Sequence, residues 1–352
     1  MSVDDARGSV SLSELDLRIV HALQINPRAS WAQLGGLLGV DPSTAARRWA
    51  RLVEHGAAWV SCQPLQDLDP ALALIEVTAQ PGRVLDVAAD LAADPESMTI
   101  DVAAGTRDLL VTAACADEAA LASYLLDRVA QVPHVAGVRS HHVVRAYTEA
   151  SRWRLRSLTH DQEQRVAATL PTVTEAARVH VAGPIDQALV AVLSEDGRQS
   201  YGEVAARVGA SESTVRRRLN ALVGSGVLRL RCEVARGLTE WRTSEWFFLR
   251  VPPDRIDEAG QLLAAVPEVR AVLSAAGPSN LLVAAWLRSI ADGQRLETQL
   301  LRRLPHVEVA DRSVVMRPYK LVGRLLDAAG FATGVVPLDL GSAPTRRSAR
   351  SE

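Results

Sequence analysis

The chain contains one segment twice, and this internal repeat limits the fold more than any other feature of the sequence. Residues 16–57 align with residues 186–227 at a shift of 170 positions without a gap, and 13 of the 42 aligned residues are identical. Because the identities are spread over the whole segment, they indicate duplication of a complete folding unit rather than of a short motif. We therefore expect one small domain to be built twice.

Each copy of this segment carries apolar residues at helical spacing in three successive stretches. Ser30 and Ser200 precede the second stretch and are predicted N-caps, since a serine hydroxyl can accept a free backbone N–H group. Gly39 and Gly209 follow that stretch and are predicted to end its helix in the left-handed conformation. The third helix is expected to start directly afterwards.

The third helix of each copy leaves small hydroxyls and arginines on its outward face. These residues are Ser43, Thr44, Arg47, Arg48 and Arg51 in copy one, and Ser213, Thr214, Arg216, Arg217 and Arg218 in copy two. Two short helices joined by a glycine turn, with a basic second helix, are typical of insertion into the major groove of double-stranded DNA. A solvated basic face in a helical bundle would look similar, but the repetition of Ser-Thr-x-x-Arg-Arg in both copies favours DNA binding.

A different pattern follows each helical unit and is itself repeated, at a shift of 172 positions. In copy one it predicts strands over Ala71–Thr78, Met98–Ala104, Leu109–Cys115 and Val138–Tyr147, with helices over Arg83–Ala93 and Glu118–Val132. In copy two it predicts strands over Glu245–Val251, Val269–Ala276, Leu281–Leu287 and Glu308–Tyr319, with helices over Arg255–Val266 and Ile290–Leu304. The order βαββαβ is that of the ferredoxin-like motif. Residues 57–62 and 227–232 are extended and suit a small wing.

The complete pattern resembles the Lrp/AsnC, or feast/famine, transcriptional regulators. The resemblance is carried by Leu15-Asp16, Arg28-Ala-Ser30 and Arg47-Arg48 with their counterparts in copy two, and by the turn Gly105-Thr-Arg-Asp108. It implies an α+β fold in which two winged helix-turn-helix domains alternate with two ferredoxin-like sensor domains. It also implies a sequence-specific regulator whose DNA binding responds to a small metabolite, such as an amino acid.

The same resemblance suggests where an effector would bind. The turn between the two central sensor strands offers Gly105 and Asp108 in copy one, and Gly277 and Asn280 in copy two. The turn in copy two lacks the acidic residue. An alternative is that the glycines only permit a tight turn and that Asp108 only caps it.

The repeats predict six regions. They are a helix-turn-helix domain at 11–64, a sensor domain at 65–148, a linker at 149–180, a second helix-turn-helix domain at 181–235, a second sensor domain at 236–325, and a tail at 326–352. The linker contains Arg152, Arg154 and Arg156 and a predicted helix over Thr159–Leu170. We interpret the linker as a solvated spacer, with DNA contact as the alternative, and residues 341–352 as disordered.

Composition excludes several classes of protein. The formal net charge is −2, so DNA affinity must come from local patches rather than from a general positive charge. Cys62, Cys115 and Cys232 are far apart in sequence and are interpreted as reduced, buried thiols of the cytoplasm. Neither a signal peptide nor an apolar stretch long enough to span a membrane is present. No spacing of residues indicates a metal, a cofactor or a catalytic group.

Two other functions are compatible with the pattern. Sirohaem decarboxylases resemble the same family, and His134, His141 and His142 could contribute to a tetrapyrrole site. His141 and His142 are neighbours on a predicted strand, however, so they point to opposite faces. A corepressor without DNA binding is disfavoured by both arginine-rich helices. We expect a non-enzymatic regulator whose two halves pair within one chain as a pseudo-dimer, with further homo-oligomer assembly through the sensors.

Overall fold

A computed structural model of the protein describes residues 10–64, 71–170 and 184–338. The predicted disordered tail at 341–352 lies outside the described residues. Each copy begins with three helices, as the periodicity predicts. They are α1 (Glu14–Ile25), α2 (Trp31–Leu38) and α3 (Pro42–Glu54) in copy one, and α7 (Pro184–Glu195), α8 (Tyr201–Val208) and α9 (Glu212–Gly224) in copy two.

The predicted caps form in both copies. Ser30 and Ser200 accept the backbone N–H groups of Gln33 and Glu203, whose side chains return a bond to the caps. Gly39 and Gly209 both end their helices in the left-handed region, with φ of 71° and 68°. Local chemistry therefore fixes where these helices begin and end.

The extended segments after α3 and α9 do not fold back as two separate wing hairpins. They form β1 (Ala58–Pro64) and β6 (Leu228–Val234), which pair with each other in an antiparallel two-stranded sheet. Val60, opposite Cys232 in this register, belongs to one apolar face that packs into a core shared by both helical units. Because β1 and β6 come from different copies, each forms backbone hydrogen bonds along one edge without needing a second strand from its own copy.

Both sensor patterns fold as βαββαβ units. Copy one contains β2 (Ala71–Ala79), α4 (Val84–Ala92), β3 (Ser97–Ala103), β4 (Leu109–Cys115), α5 (Glu118–Ser123, continued by single turns to Gln131) and β5 (Val135–Thr148). Copy two contains β7 (Thr243–Arg250), α10 (Ile256–Ala264), β8 (Val269–Ala276), β9 (Leu281–Leu287), α11 (Ile290–Arg303) and β10 (Glu308–Leu321). Two short strands follow, β11 (Arg324–Leu326) and β12 (Ala332–Val335).

The eight sensor strands close into one barrel. In copy one the strands lie side by side in the order β5, β2, β4, β3, and in copy two in the order β10, β7, β9, β8. The two sensors are joined where β5 pairs with β8 and where β10 pairs with β3. The helices cover the outside and enclose one apolar core per sensor. Alternate residues of the strands, including Leu74, Trp246 and Phe248, form a further core inside the barrel. The two sensors thus form an intramolecular pair.

The described part of the segment that joins the copies, residues 149–170, is not a solvated spacer. Trp153 and Leu155 are buried in the core shared by the helical units. The helix α6 (His160–Ala167) is capped by Thr159, as predicted, and buries Val166 against the same core. Residues 171–183 lie outside the described residues.

Candidate DNA-binding surface and ligand sites

The two helical units contact each other through a reciprocal pair of arginines. Arg28 donates to the carbonyl oxygens of Gly197 and Gln199, at 2.7 and 3.0 Å. Arg198 donates to those of Pro27 and Ala29, at 2.5 and 3.0 Å. Because each arginine binds the loop that carries the other, their presence in both copies is explained by the internal two-fold interface.

The arginines of α3 and α9 divide into two groups. Asp16 on α1 is completely buried and accepts from Arg48 at 3.2 Å and from Arg51 at 3.0 Å. Asp186 on α7, its equivalent, is bound at both oxygens by Arg218 at 2.6 Å. These ion pairs join the first helix of each unit to the third, so Arg48, Arg51 and Arg218 help to hold the scaffold together.

The remaining predicted arginines point outward. Arg47, Arg216 and Arg217 are exposed, and their guanidinium groups have no hydrogen bond or ion pair with any residue that the structure describes. Arg47 and Arg217 occupy equivalent positions, whereas Arg216 has Ala46 as its counterpart. Copy one therefore presents one unpaired arginine on this face, and copy two presents two.

The predicted hydroxyl residues lie in the first turns of the same helices. Ser43 and Ser213 are exposed, and Thr44 and Thr214 are half-buried. Asp41 and Ser211 act as the N-caps, so they occupy backbone N–H groups that could otherwise meet a phosphate. The hydroxyls of Ser43 and Thr214 are themselves bonded to those caps.

The predicted effector turns both hold the end of a neighbouring strand. Asp108 accepts the N–H of Ala79 at 2.8 Å, and Asn280 binds both the N–H and the carbonyl of Val251, at 2.9 and 2.8 Å. Ala79 and Val251 are equivalent positions. Gly105 and Gly277 have φ of 115° and 143°, so they require glycine for the turn itself.

A buried polar network beside the first turn was missed from the sequence. Arg107 lies 3.1 Å from Glu76 and 2.5 Å from Asp311 of the other sensor, and it stacks over Phe248. His141 lies 2.7 Å from the same glutamate. The available signal was Glu76 itself, a charged residue inside an otherwise apolar strand. This network ties the first turn to the second sensor.

A cavity of about 430 Å³ lies between the β1–β6 sheet and one end of the barrel. Its walls include Trp59, Trp246 and Trp286 together with five arginines, and none of its lining residues is a histidine. The arginines are Arg152, Arg229, Arg231, Arg236 and Arg270. Of these five, only Arg152 was noted from the sequence, as part of the basic linker. The alternation of Arg229, Arg231 and Glu233 along β6 was a signal that this strand has a polar face.

The histidines and cysteines are accounted for elsewhere. His134 and His142 contact Gln80 and Glu118 on other parts of the surface. The three cysteines are free and buried, as predicted. Among the described residues no cluster of potential metal ligands is present, and no helix is long and apolar enough to cross a membrane.

Comparisons with known proteins agree with this architecture. A family model of the AsnC-type helix-turn-helix domain matches residues 12–53 and 184–223, and one of the Lrp/AsnC ligand binding domain matches residues 72–153 and 247–325. The chain belongs to the Lrp/AsnC family. It contains a complete Lrp/AsnC regulator twice and is a metabolite-responsive transcriptional regulator.

The similar proteins each correspond to about one half of the chain or to its fold as a whole. An uncharacterized helix-turn-helix regulator of Pyrococcus abyssi is 25% identical over 37% of this chain and 84% of its own length. A second regulator from that organism is 29% identical over 40% of this chain and 95% of its own. The solved structure of the siroheme decarboxylase NirDL covers 88% of this chain and 93% of its own, with a TM-score of 0.55 and 18% identity. That likeness concerns the fold.

Proposed function

We propose that this Lrp/AsnC protein binds one DNA duplex with both of its helix-turn-helix units, acting as a covalent pseudo-dimer rather than as an enzyme. The observation that carries the proposal is the outward arginine face of both third helices, with Arg47, Arg216 and Arg217 unpaired. In this proposal β1 and β6 act as a shared wing, and the sensors act as ferredoxin-like modules. Unpaired arginines can neutralise phosphates or bond to guanine edges.

The ten predicted residues have different roles in this proposal. Arg47, Arg216 and Arg217 contact DNA directly, with Ser43, Thr44, Ser213 and Thr214 near the backbone phosphates. Arg48, Arg51 and Arg218 contribute by holding α3 and α9 at the correct angle through Asp16 and Asp186. A helix that is anchored on its inner side loses less conformational freedom when it enters the groove.

The test is a salt titration of DNA binding with matched variants. We expect Arg47→Ala and Arg217→Ala each to flatten the slope of log K against log salt by about 0.9 for every phosphate contact removed. Arg216→Ala/Arg217→Ala should then have about twice the effect of Arg47→Ala. Arg303→Ala, an exposed arginine on α11, serves as the control. Unchanged affinity in all of the recognition-helix variants would refute DNA binding through these helices.

Because the two recognition helices α3 and α9 differ in sequence, we expect the two DNA half-sites that they bind to differ as well. Ala46 faces Arg216 in the alignment, so the outward faces of the two helices present different groups to the bases. We expect an asymmetric operator whose half-sites are separated by about one helical turn or a multiple of 10–10.5 base pairs. Footprinting on randomised half-sites, with the mass of the complex, measures this. A palindromic consensus bound by two chains would contradict it.

For the effector we propose an amino acid or related compound acting at the sensor turns. Asn280 uses both ends of its amide on Val251, whereas Asp108 uses one oxygen on Ala79. Asp108 with Gly105 is therefore better able to bind an ammonium group than Asn280 with Gly277. Asp108→Asn should abolish the response of DNA binding to amino acids while leaving DNA binding without effector unchanged. A response that survives this substitution would place the effector elsewhere.

A second candidate function is supported by the likeness to NirDL over most of the chain and by the arginine-lined cavity. Arginines suit the carboxylates of a tetrapyrrole. Against it, His134, His141 and His142 do not line that cavity. Incubation with sirohaem should give no Soret band shift and no release of carbon dioxide. Turnover of sirohaem would replace the regulatory proposal with the enzymatic one.

A further inference from the structure

The cavity next to the β1–β6 sheet straddles the internal two-fold axis. Equivalent positions of both copies line it: Met98 with Arg270, Ala114 with Trp286, and Trp59 with Arg229. A cavity on a two-fold axis is single, whereas a site away from the axis would occur once in each copy. The described residues of both copies therefore share this cavity.

The two sides of this axial cavity differ in chemistry. Copy one contributes both lining carboxylates, Asp101 and Glu149, together with apolar groups such as Trp59. Copy two contributes four of its five arginines, namely Arg229, Arg231, Arg236 and Arg270. In a dimer of identical chains both sides would necessarily be alike. Covalent duplication removes that constraint, so this cavity can fit an asymmetric molecule.

The positive charge exceeds the negative charge around the cavity. Five arginines line it, against the carboxylates of Asp101 and Glu149. Arg231 and Arg270 share the buried Glu233, and Arg229 pairs with Glu149. The guanidinium groups of Arg152 and Arg236 have no hydrogen bond or ion pair with any described residue. Burial raises the pKa of Asp101.

Buried polar atoms on the cavity wall also lack partners. Trp59 is 3% exposed and Gln63 is 7% exposed, yet the indole N–H of Trp59 donates no hydrogen bond and the Oε1 of Gln63 accepts none from any described residue. The Nε of Arg231 is likewise unsatisfied. Buried polar groups in folded proteins are nearly always bonded, so these atoms are available to a molecule bound in the cavity.

We propose that the axial cavity binds one molecule of an asymmetric, amphipathic anion per chain. A phosphate or carboxylate lies towards the arginines of copy two, and a flat apolar body lies against Trp59 and Trp246. Arg270 stacks on Trp286, with its guanidinium carbon 3.6 Å from the ring centre, and this contact holds it in the cavity wall. The site is separate from the sensor turns, whose residues do not line it.

The position of this site gives it a regulatory consequence, which rests on the proposed DNA binding. One wall is the polar face of β1 and β6, whose other face is part of the core of the helix-turn-helix units. The opposite wall is the end of the sensor barrel. A molecule that binds both walls would fix the DNA-binding pair relative to the barrel, and this would couple the orientation of the pair to the sensors.

The test uses the full-length protein without DNA and 1-naphthyl phosphate as the probe. Isothermal titration calorimetry should give one site per chain, with weaker binding of both neutral 1-naphthol and inorganic phosphate. The variant Arg152→Gln/Arg236→Gln removes the two unpaired guanidinium groups and should weaken probe binding by about tenfold for each charged hydrogen bond lost. Arg302→Gln/Arg303→Gln, two exposed arginines of α11, is the matched control with unchanged binding.

Several outcomes would overturn the proposal: no binding at millimolar probe, two sites per chain, equal affinity for 1-naphthol, or equal affinity in the Arg152/Arg236 variant. Circular dichroism and the melting temperature of each variant separate loss of the site from loss of the fold. DNA binding is measured independently in the absence of probe. Probe binding by a protein that does not bind DNA would refute the proposed function and leave the axial site intact.

Discussion

The two sensors share the order βαββαβ, but some of their corresponding positions hold different side chains. In copy one, Ala73 on β2 and Leu121 on α5 belong to one apolar core. In copy two the equivalent residues are Glu245 and Gly293, and a methyl group added to Gly293 would overlap the Glu245 carboxylate. Both oxygens of Glu245 are buried without a hydrogen-bond partner. The glutamate therefore occupies the space that a leucine fills in copy one.

This difference shows what covalent duplication permits. In a dimer of identical chains a buried, unsatisfied carboxylate would occur twice, and its destabilising effect would be doubled. Among the described residues of this chain it occurs once, while the other sensor keeps an apolar core at the equivalent place and the closed barrel holds the two together. The same reasoning applies to the axial cavity, where Met98 and Arg270 are equivalent. At both of these positions copy two holds the charged residue.

Restoring the apolar pair of copy one in copy two should have the largest effect on stability. Glu245→Ala/Gly293→Leu removes an unsatisfied buried group and fills its space, and we expect about 3 kcal/mol more unfolding free energy. Gly293→Leu alone should lower it by about 2 kcal/mol, because the leucine and the carboxylate compete for one space. Chemical denaturation measures both, with Glu245→Ala as the control.

The pH dependence of the same variants gives a second test. Burial raises the pKa of Glu245 above its ordinary 4.5, so the folded state holds this proton more tightly than the unfolded state does. Its contribution to the unfolding free energy is complete below pH 4.5 and is lost as the pH rises through the raised folded pKa. The double variant should lack this loss. An identical pH profile in wild type and variant would contradict the assignment.

Sequence reasoning succeeded where the cause was local. The caps at Ser30, Ser200 and Thr159 and the glycine ends at Gly39 and Gly209 depend on residues within one helical turn. The sensor strands and most of the helices were likewise predicted to within about three residues, because alternation and helical spacing are themselves local. The helix expected over Glu118–Val132 instead ends as regular α-helix at Ser123 and continues as single turns to Gln131.

It failed where a partner distant in sequence decides the role. Arg48 and Arg217 look alike in sequence, but only Arg48 has a buried carboxylate within reach, and that carboxylate lies 32 residues away. Nothing local indicates that β1 would pair with β6, or that a linker tryptophan, Trp153, would be buried. The axial cavity was missed for the same reason, since its arginines converge only after the barrel closes.

A second contrast between the copies concerns the linker, which is fastened to copy one. His21 on α1 is completely buried, and its Nδ1 accepts the N–H groups of Ser157 and Leu158 at 2.9 and 3.0 Å. Its Nε2 lies 3.3 Å from Glu163. The equivalent residue in copy two is Ala191. Burial, assisted by the charges of Arg154 and Arg156, lowers the pKa of His21 to about 4.

This histidine should make the attachment of the linker sensitive to acid. Because the folded pKa is about 4 and the ordinary value is 6.5, the unfolded state binds the proton first as the pH falls. The unfolding free energy should then decrease between pH 6.5 and 4, by at most about 1.4 kcal/mol per pH unit, and should not depend on His21 above that range. Thermal melts of wild type and His21→Gln measure this, with the exposed His160→Gln as control. Equal acid sensitivity in all three proteins would contradict it.

The smallest expected effect concerns the carboxylates that hold the recognition helices. Asp16 is bound by two arginines and Asp186 by one among the pairs described above, so neutralising Asp16 should release more positive charge onto the DNA-binding face. We expect Asp16→Asn and Asp186→Asn each to lower the unfolding free energy by about 1 kcal/mol, since the arginines are a third to a half exposed and can be solvated. Asp16→Asn should also steepen the salt dependence of DNA binding, by up to about 0.9 for each of Arg48 and Arg51 that reaches a phosphate. Asp186→Asn should steepen it by up to the same amount for Arg218. A steeper slope with Asp186→Asn alone would contradict this prediction. It would mean that the carboxylate of copy two, rather than that of copy one, keeps arginines away from the DNA phosphates.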